Sequence, residues 1–133
     1  MVSCVKSKAP NPLPARLLYT SAWFSMVRGL VEDAGARWLV LSSFYGLVEP
    51  DAVIAPYDYT LNDVGTAERR QWAAKVLNKL LPEAATFERV VIFAGARYRE
   101  FLVEPLIKRG IKVEVPMQNL RRGEQLAWLS EAD

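Results

Sequence analysis

Two short stretches, Trp38-Leu39-Val40-Leu41 and Val90-Val91-Ile92-Phe93-Ala94, are apolar without interruption, and helical patterns flank both. Continuous rather than alternating hydrophobicity marks strands covered on both faces. That is the habit of parallel sheets, where the crossing helices pack on the two faces. The pattern constrains this chain more than any other feature, because strands alternating with helices leave an open α/β sheet as the favoured architecture.

The rest of the chain supplies that alternation. Met1 to Cys4 reads as a first buried strand, followed by a Lys-, Ser- and Pro-rich loop to Pro14. From Ala15 to Ala34, Leu18, Ala22, Met26 and Leu30 recur every fourth position, and Trp23, Val27 and Val31 widen the stripe. This predicts a helix stopped by Gly35. Arg37 to Ser42 is the second strand. Ser43 to Gly65 carries Pro50, Pro56 and two glycines without a helical period, and loops above about 12–15 residues in a compact domain are usually functional. Thr66 is expected to cap a helix to about Leu81 that Pro82 closes. Glu88 to Ala94 is the third strand, and Gly95 then leads into a helix with Tyr98, Phe101, Leu102 and Leu106 on one face, kinked at Pro105 and ended by Gly110. Lys112 to Val115 is the fourth strand, and a last helix starts near Gly123. The expectation is one α/β domain over 1–133: a three-layer α/β/α sandwich on a four-stranded parallel sheet of order 2-1-3-4.

Composition excludes several classes. With 51% hydrophobic and 24% charged residues the chain is neither disordered nor collagen-like. Its longest apolar runs fall far short of the roughly 20 residues of a membrane helix. Lys6 and Lys8 follow the first apolar run instead of preceding it, so no signal peptide is read, and a cytoplasmic location is expected without membrane partners. The lone Cys4 and the absence of His leave no internal disulfide and no ligand set for structural zinc, so neither a metal nor another cofactor is expected. A net charge of +2 is too mild to argue nucleic-acid binding by itself. Its distribution says more, because Ser43 to Glu68 holds five acids and no Lys or Arg, whereas Lys6, Lys8 and Arg16 follow the first strand.

In an open parallel sheet a ligand sits beyond the C-terminal strand ends. Ser3, Cys4, Lys6 and Lys8 fall there after the first strand, with two ammonium groups and hydroxyls suited to an anion such as phosphate, or simply a solvated basic loop. Cys4 has no His to activate it as a nucleophile. Ser42 and Tyr45 follow the second strand. Gly95, Arg97 and Tyr98 follow the third, where a helix start favours an anion, although a plain turn reads the same way. Within the long loop Tyr57 and its neighbours are placed to stack a nucleobase or to form a small satellite core. Asp58 among them is a carboxylate that could orient water, stabilise a sugar cation or cap a turn.

Six ordered blocks carry a resemblance over nearly the whole chain. They are Ser3-Cys4-x-Lys6-x-Lys8, Ala15-x-x-Leu18-Tyr19-x-Ser21-x-x-Phe24, Leu41-Ser42-x-x-Tyr45-Gly46-Leu47-x-x-Pro50, Pro56-Tyr57-Asp58, Ala94-Gly95-x-x-Tyr98 and Gly123-Glu124-Gln125-Leu126-x-Trp128-Leu129. Together they resemble an uncharacterised bacterial and phage family. By its opening motif that family is similar to the catalytic core of archaeosine synthase and, more distantly, to YaaA-like proteins, with a fold like that of uracil-DNA glycosylases. Members commonly carry Lys-His where this chain has Phe44-Tyr45.

The resemblance implies an enzyme acting at a nucleobase, a glycosylase-like hydrolase cleaving the N-glycosidic bond of a modified base in DNA. DNA or a nucleotide-like molecule would be the substrate. Asp58 and Tyr45 would be the catalytic residues. Lys6, Lys8 and Arg97 would hold phosphate, while Ser3, Cys4, Ser42, Tyr57 and Tyr98 would bind the base. A nucleic-acid or nucleotide binding module without catalysis and a transferase acting on a deazaguanine remain open alternatives, because one fold hosts many reactions.

Overall fold

The computed structural model describes residues 1–132. In chain order they form β1 (Val2–Ser3), β2 (Leu13–Pro14), α1 (Ala15–Leu18), α2 (Ala22–Asp33), β3 (Val40–Ser42), β4 (Gly46–Val48), β5 (Val53–Ile54), a 3₁₀ turn (Leu61–Asp63), α3 (Thr66–Ala84), β6 (Arg89–Val91), α4 (Ala96–Arg99), α5 (Val103–Lys108), β7 (Lys112–Glu114) and α6 (Arg122–Ala132).

The apolar runs predict one four-stranded parallel sheet of order 2-1-3-4, and the structure corrects this. The strands form three small sheets: β1-β3-β4, β2-β5 and β6-β7. β1 and β3 are parallel, with Val2 opposite Val40, and β6 and β7 are parallel, with Val90 opposite Val113. Between these two pairs the ladder is reduced to a lone parallel bridge, Val2 to Phe93, flanked by Ser3 N–H to Phe93 C=O and Phe93 N–H to Met1 C=O at 2.9 and 2.8 Å. β1 is two residues long and β6 ends at Val91, so the two strands have almost no common length over which to pair.

The first sheet is mixed because the chain reverses directly after β3. Ser42 Oγ accepts the N–H groups of Phe44 and Tyr45 at 3.3 and 2.9 Å, and Gly46 takes φ 80°, a conformation glycine adopts without penalty. This turn brings β4 back antiparallel to β3, with Leu47 opposite Leu41. The segment Ser43 to Gly65, expected as one long loop, therefore contributes β4, β5 and a 3₁₀ turn. Three- and two-residue strands are too short to show a period in the sequence.

The helices differ from expectation in three places. The stripe from Ala15 to Ala34 is broken at Tyr19 to Ser21, because the first loop competes for its backbone: Ala9 N–H donates to Leu18 C=O at 2.8 Å and Thr20 N–H to Ser7 C=O at 3.0 Å. Ser21 then caps α2 by accepting Phe24 N–H at 3.1 Å. Gly65, not Thr66, occupies the cap position of α3, and that helix continues past the exposed Pro82 to Ala84. After β6 the chain makes two short helices instead of one kinked helix. Pro105 is the third residue of α5, where its missing N–H would have had no intrahelical partner.

Buried apolar side chains from Val2 to Leu129 form one contiguous cluster. Among the described residues no helix is long and apolar enough to cross a membrane.

Candidate functional site

A cleft of about 930 Å³ opens beyond the C-terminal ends of β1, β6 and β7. Ser3 and Cys4 after β1, Phe93 to Gly95 after β6, and Val115 and Met117 after β7 form its floor. The segment Asp58 to Asp63 stands on one side. Trp23 from the start of α2 and Asn119 to Gln125 around the start of α6 stand on the other.

Buried polar atoms tie the floor to the first wall. Cys4 Sγ lies 3.6 Å from Ser43 Oγ and 3.7 Å from the Tyr98 hydroxyl, and it accepts Ser43 N–H at 3.4 Å. The Tyr98 hydroxyl also accepts Leu61 N–H at 3.4 Å and pairs with Thr60 Oγ1 at 3.3 Å. Burial pushes this phenol up to about 12. Arg69, buried at 6% exposure, fixes the same wall from behind: its guanidinium bonds Glu100 at 2.5 Å, Val64 C=O at 2.6 Å and Thr66 Oγ1 at 3.1 Å.

A second chain of hydroxyls lies beside the floor. Ser42 Oγ donates to the Tyr57 hydroxyl at 2.8 Å, and Tyr57 and Tyr19 share a hydrogen bond at 2.7 Å. Burial raises both phenols above their ordinary range. The Lys8 ammonium rests 4.4 Å from the Tyr57 ring centre. Partial burial lowers the Lys8 pKa, and the neighbouring Cys4 and Asp58 oppose that shift.

Of the residues singled out from the sequence, Ser3, Cys4, Lys6, Lys8, Asp58 and Tyr98 line the cleft together. Ser42 is fully buried behind them. Tyr57 lines a shallower groove of about 510 Å³, which Lys6, Lys8 and Asp58 also border. Tyr45 and Arg97 lie outside both cavities: Tyr45 is 40% exposed and its hydroxyl donates to Ala55 C=O at 3.3 Å. Arg99, two positions on, lines the cleft instead and donates from Nη1 to Ala94 C=O at 2.8 Å.

Sequence reasoning missed the far wall. Trp23 Nε1 donates to Gln125 Oε1 at 2.8 Å, Gln125 Nε2 donates to Leu120 C=O at 2.8 Å, and the Arg122 guanidinium stands 5.3 Å from the Trp23 ring centre. Asn119 joins this wall in a left-handed conformation, φ 72°. The available signal was Trp23 itself, since a buried indole N–H needs an acceptor.

The result is bipolar. Lys6, Lys8, Arg99 and Arg122 supply positive charge, Asp58 and Asp63 negative charge, around a floor of neutral donors and acceptors. Among the described residues no three His, Cys, Asp or Glu side chains converge to hold a metal ion. The site can therefore hold an anion on its cations, bond a polar planar group at the floor, and set a carboxylate beside both. No curated protein and no solved structure matches the chain. Residues 1–131 match the family described as Family of unknown function (DUF6884), and at that coverage the chain belongs to it.

Proposed function

We propose that the cleft is the active site of a nucleobase-directed hydrolase that cleaves the N-glycosidic bond of a modified base in DNA. The observation carrying this reading is Asp58, an exposed carboxylate on the cleft wall that accepts no hydrogen bond from a protein donor among the described residues and lines the same cleft as Lys6 and Lys8. A carboxylate free of internal partners in a cleft with two ammonium groups is suited to a sugar-phosphate whose anomeric carbon gains positive charge as the base departs.

In this reading Lys6 and Lys8 hold the phosphate, and the Tyr98 hydroxyl and Ser3 face the base edge. Asp58 orients a water and takes its proton as the water oxygen bonds the sugar C1′. The C1′–N bond breaks, its electron pair leaves with the base, and the base takes a proton from solvent on release. This reading assigns Tyr45 no step, since its hydroxyl donates to Ala55 C=O outside the cleft.

The test is incubation of the purified protein with DNAs carrying different modified bases, with free bases and abasic sites read by mass spectrometry. Release of one base from one substrate supports the proposal. Tight binding without release assigns the cleft to recognition alone, and base exchange in place of hydrolysis assigns it to a transferase.

A further inference from the structure

Of the two lysines that line the cleft, Lys6 is exposed and Lys8 is half-buried. The backbone on either side of Lys8 is pinned: Thr20 N–H donates to Ser7 C=O at 3.0 Å, Ala9 N–H donates to Leu18 C=O at 2.8 Å, and Lys8 itself bridges Tyr19. Its Nζ donates to Lys6 C=O at 3.1 Å and lies 4.4 Å from the Tyr57 ring centre and 5.9 Å from that of Tyr19. Among the described residues no carboxylate pairs with it. A lysine that only solvates a loop is neither pinned nor drawn out of water, whereas a lysine partly desolvated at a reacting centre becomes a competent nucleophile. Partial burial lowers the Lys8 pKa against the opposing charges of Cys4 and Asp58, which brings the amine form within easier reach.

We infer that the cleft has a second activity, in which the Lys8 amine forms an imine with the aldehyde of an abasic sugar and the strand is cut by β-elimination. The inference rests on the hydrolase reading, because base release is what leaves that sugar in the cleft. The ring-opened sugar carries its aldehyde at C1′. The Lys8 nitrogen bonds C1′, and the carbonyl oxygen departs as water with both protons of the amine. The imine takes up a proton from solvent, which makes the C2′ hydrogen acidic. Asp58, having returned its earlier proton to solvent, removes that hydrogen as a proton. The C3′–O bond breaks with its electron pair leaving on the 3′ phosphate, and water then releases the unsaturated aldehyde and restores the amine. Lys8 thus serves first as an ammonium on the phosphate and then as an amine on the sugar, while Lys6 remains on the phosphate.

Abasic sites prepared separately in a single-stranded oligonucleotide make the test independent of base release. The protein is incubated with that oligonucleotide and borohydride, which reduces an imine to a stable amine, and the crosslinked peptide is identified by mass spectrometry. The wild-type chain should be trapped through Lys8. Lys8→Arg keeps a cation over the Tyr57 ring but cannot form an imine, so it should bind the oligonucleotide and lose both the crosslink and strand cleavage, with circular dichroism checking its fold. Lys108→Arg, exposed on α5 and outside both cavities, controls for adventitious lysines and should crosslink like wild type. No crosslink, a crosslink through another amine, or one that survives in Lys8→Arg overturns the inference, and where modified bases are still released the hydrolase reading stands. A Lys8 crosslink without release of any modified base overturns the hydrolase reading and leaves a lyase acting on abasic sites made by another enzyme.

Discussion

The Lys8 ammonium stands 4.4 Å from the centre of the Tyr57 ring, whose hydroxyl is held by Ser42 at 2.8 Å and by Tyr19 at 2.7 Å. One side chain thus links the basic loop after β1, the end of β3 and the break between α1 and α2. Tyr57→Phe keeps the ring under Lys8 and removes only the hydroxyl, leaving the buried Tyr19 phenol without this partner. The expected cost is about 1–3 kcal/mol in urea unfolding, the usual penalty for a stranded buried polar group. Wild-type stability in the Phe variant would show that the hydroxyl chain adds nothing net.

The buried phenols also predict alkaline instability. Tyr98 is raised to about 12, and Tyr19 and Tyr57 are raised further, all chiefly by burial. In the unfolded chain these phenols ionise near pH 10. Their contribution is thus fully present below about pH 10 and is lost as pH climbs towards the folded values, because the unfolded state releases protons first. Unfolding free energy should fall steeply above about pH 10, phenolate absorbance should rise together with unfolding, and Tyr57→Phe should flatten the slope.

The uninterrupted Trp38 to Leu41 and Val90 to Ala94 runs revealed two buried strands and the placement of the loops that follow. They carried no information on how far strands pair laterally. Only the geometry shows that β1 meets Phe93 at a single bridge, and that a serine side chain turns the chain back into β4. The break at Tyr19 to Ser21 was hidden because the apolar period runs through it, while the competing hydrogen bonds come from Ser7 and Ala9, distant in the pattern. At the site, Lys6, Lys8 and Asp58 were legible from their positions at strand ends. Arg97 and Arg99 are alike in chemistry and differ in direction within a four-residue helix, which propensity does not specify.

That difference is testable by salt dependence. Each phosphate contact contributes about 0.7 to the slope of log K against log salt for a single strand and about 0.9 for a duplex. Lys6→Ala and Lys8→Ala should each reduce the slope for a nucleic-acid ligand by about that amount, whereas Arg97→Ala, exposed and outside both cavities, should leave it unchanged. A slope reduced equally in Arg97→Ala would move the phosphate path towards α4.

The wall carrying Asp58 to Asp63 depends on Arg69, whose guanidinium reaches Glu100, Val64 and Thr66. Glu100→Gln keeps the shape but removes the negative charge facing a buried cation. Because Glu100 itself is 31% exposed, the expected loss is about 2 kcal/mol, within the range for a charged hydrogen bond, and not the larger penalty of a fully buried pair. Thermal melts measure the loss. Faster hydrogen exchange at the 3₁₀ turn in the same variant would locate it, since Arg69 is what anchors Val64 there.

Asp58 offers the decisive substitution because its two possible roles predict opposite results. As a turn cap its oxygen would accept backbone N–H groups, Asn would replace it well, and Ala would cost about 1 kcal/mol. The structure shows an exposed side chain that accepts no hydrogen bond from a protein donor among the described residues, so both Asp58→Asn and Asp58→Ala should unfold within about 0.5 kcal/mol of wild type, as surface changes do. Chemistry should respond differently. An amide bonds water but is a poor base and carries no charge to stabilise the sugar cation. Asp58→Asn should therefore retain polynucleotide binding while base release falls by about 10²-fold or more, the scale of a positioned general base. Binding should if anything tighten, since removing the carboxylate beside Lys6 and Lys8 lessens repulsion of the phosphate. Melts, affinities and base release on the same preparations distinguish these outcomes, and full release by the Asn variant would exclude Asp58 from the mechanism.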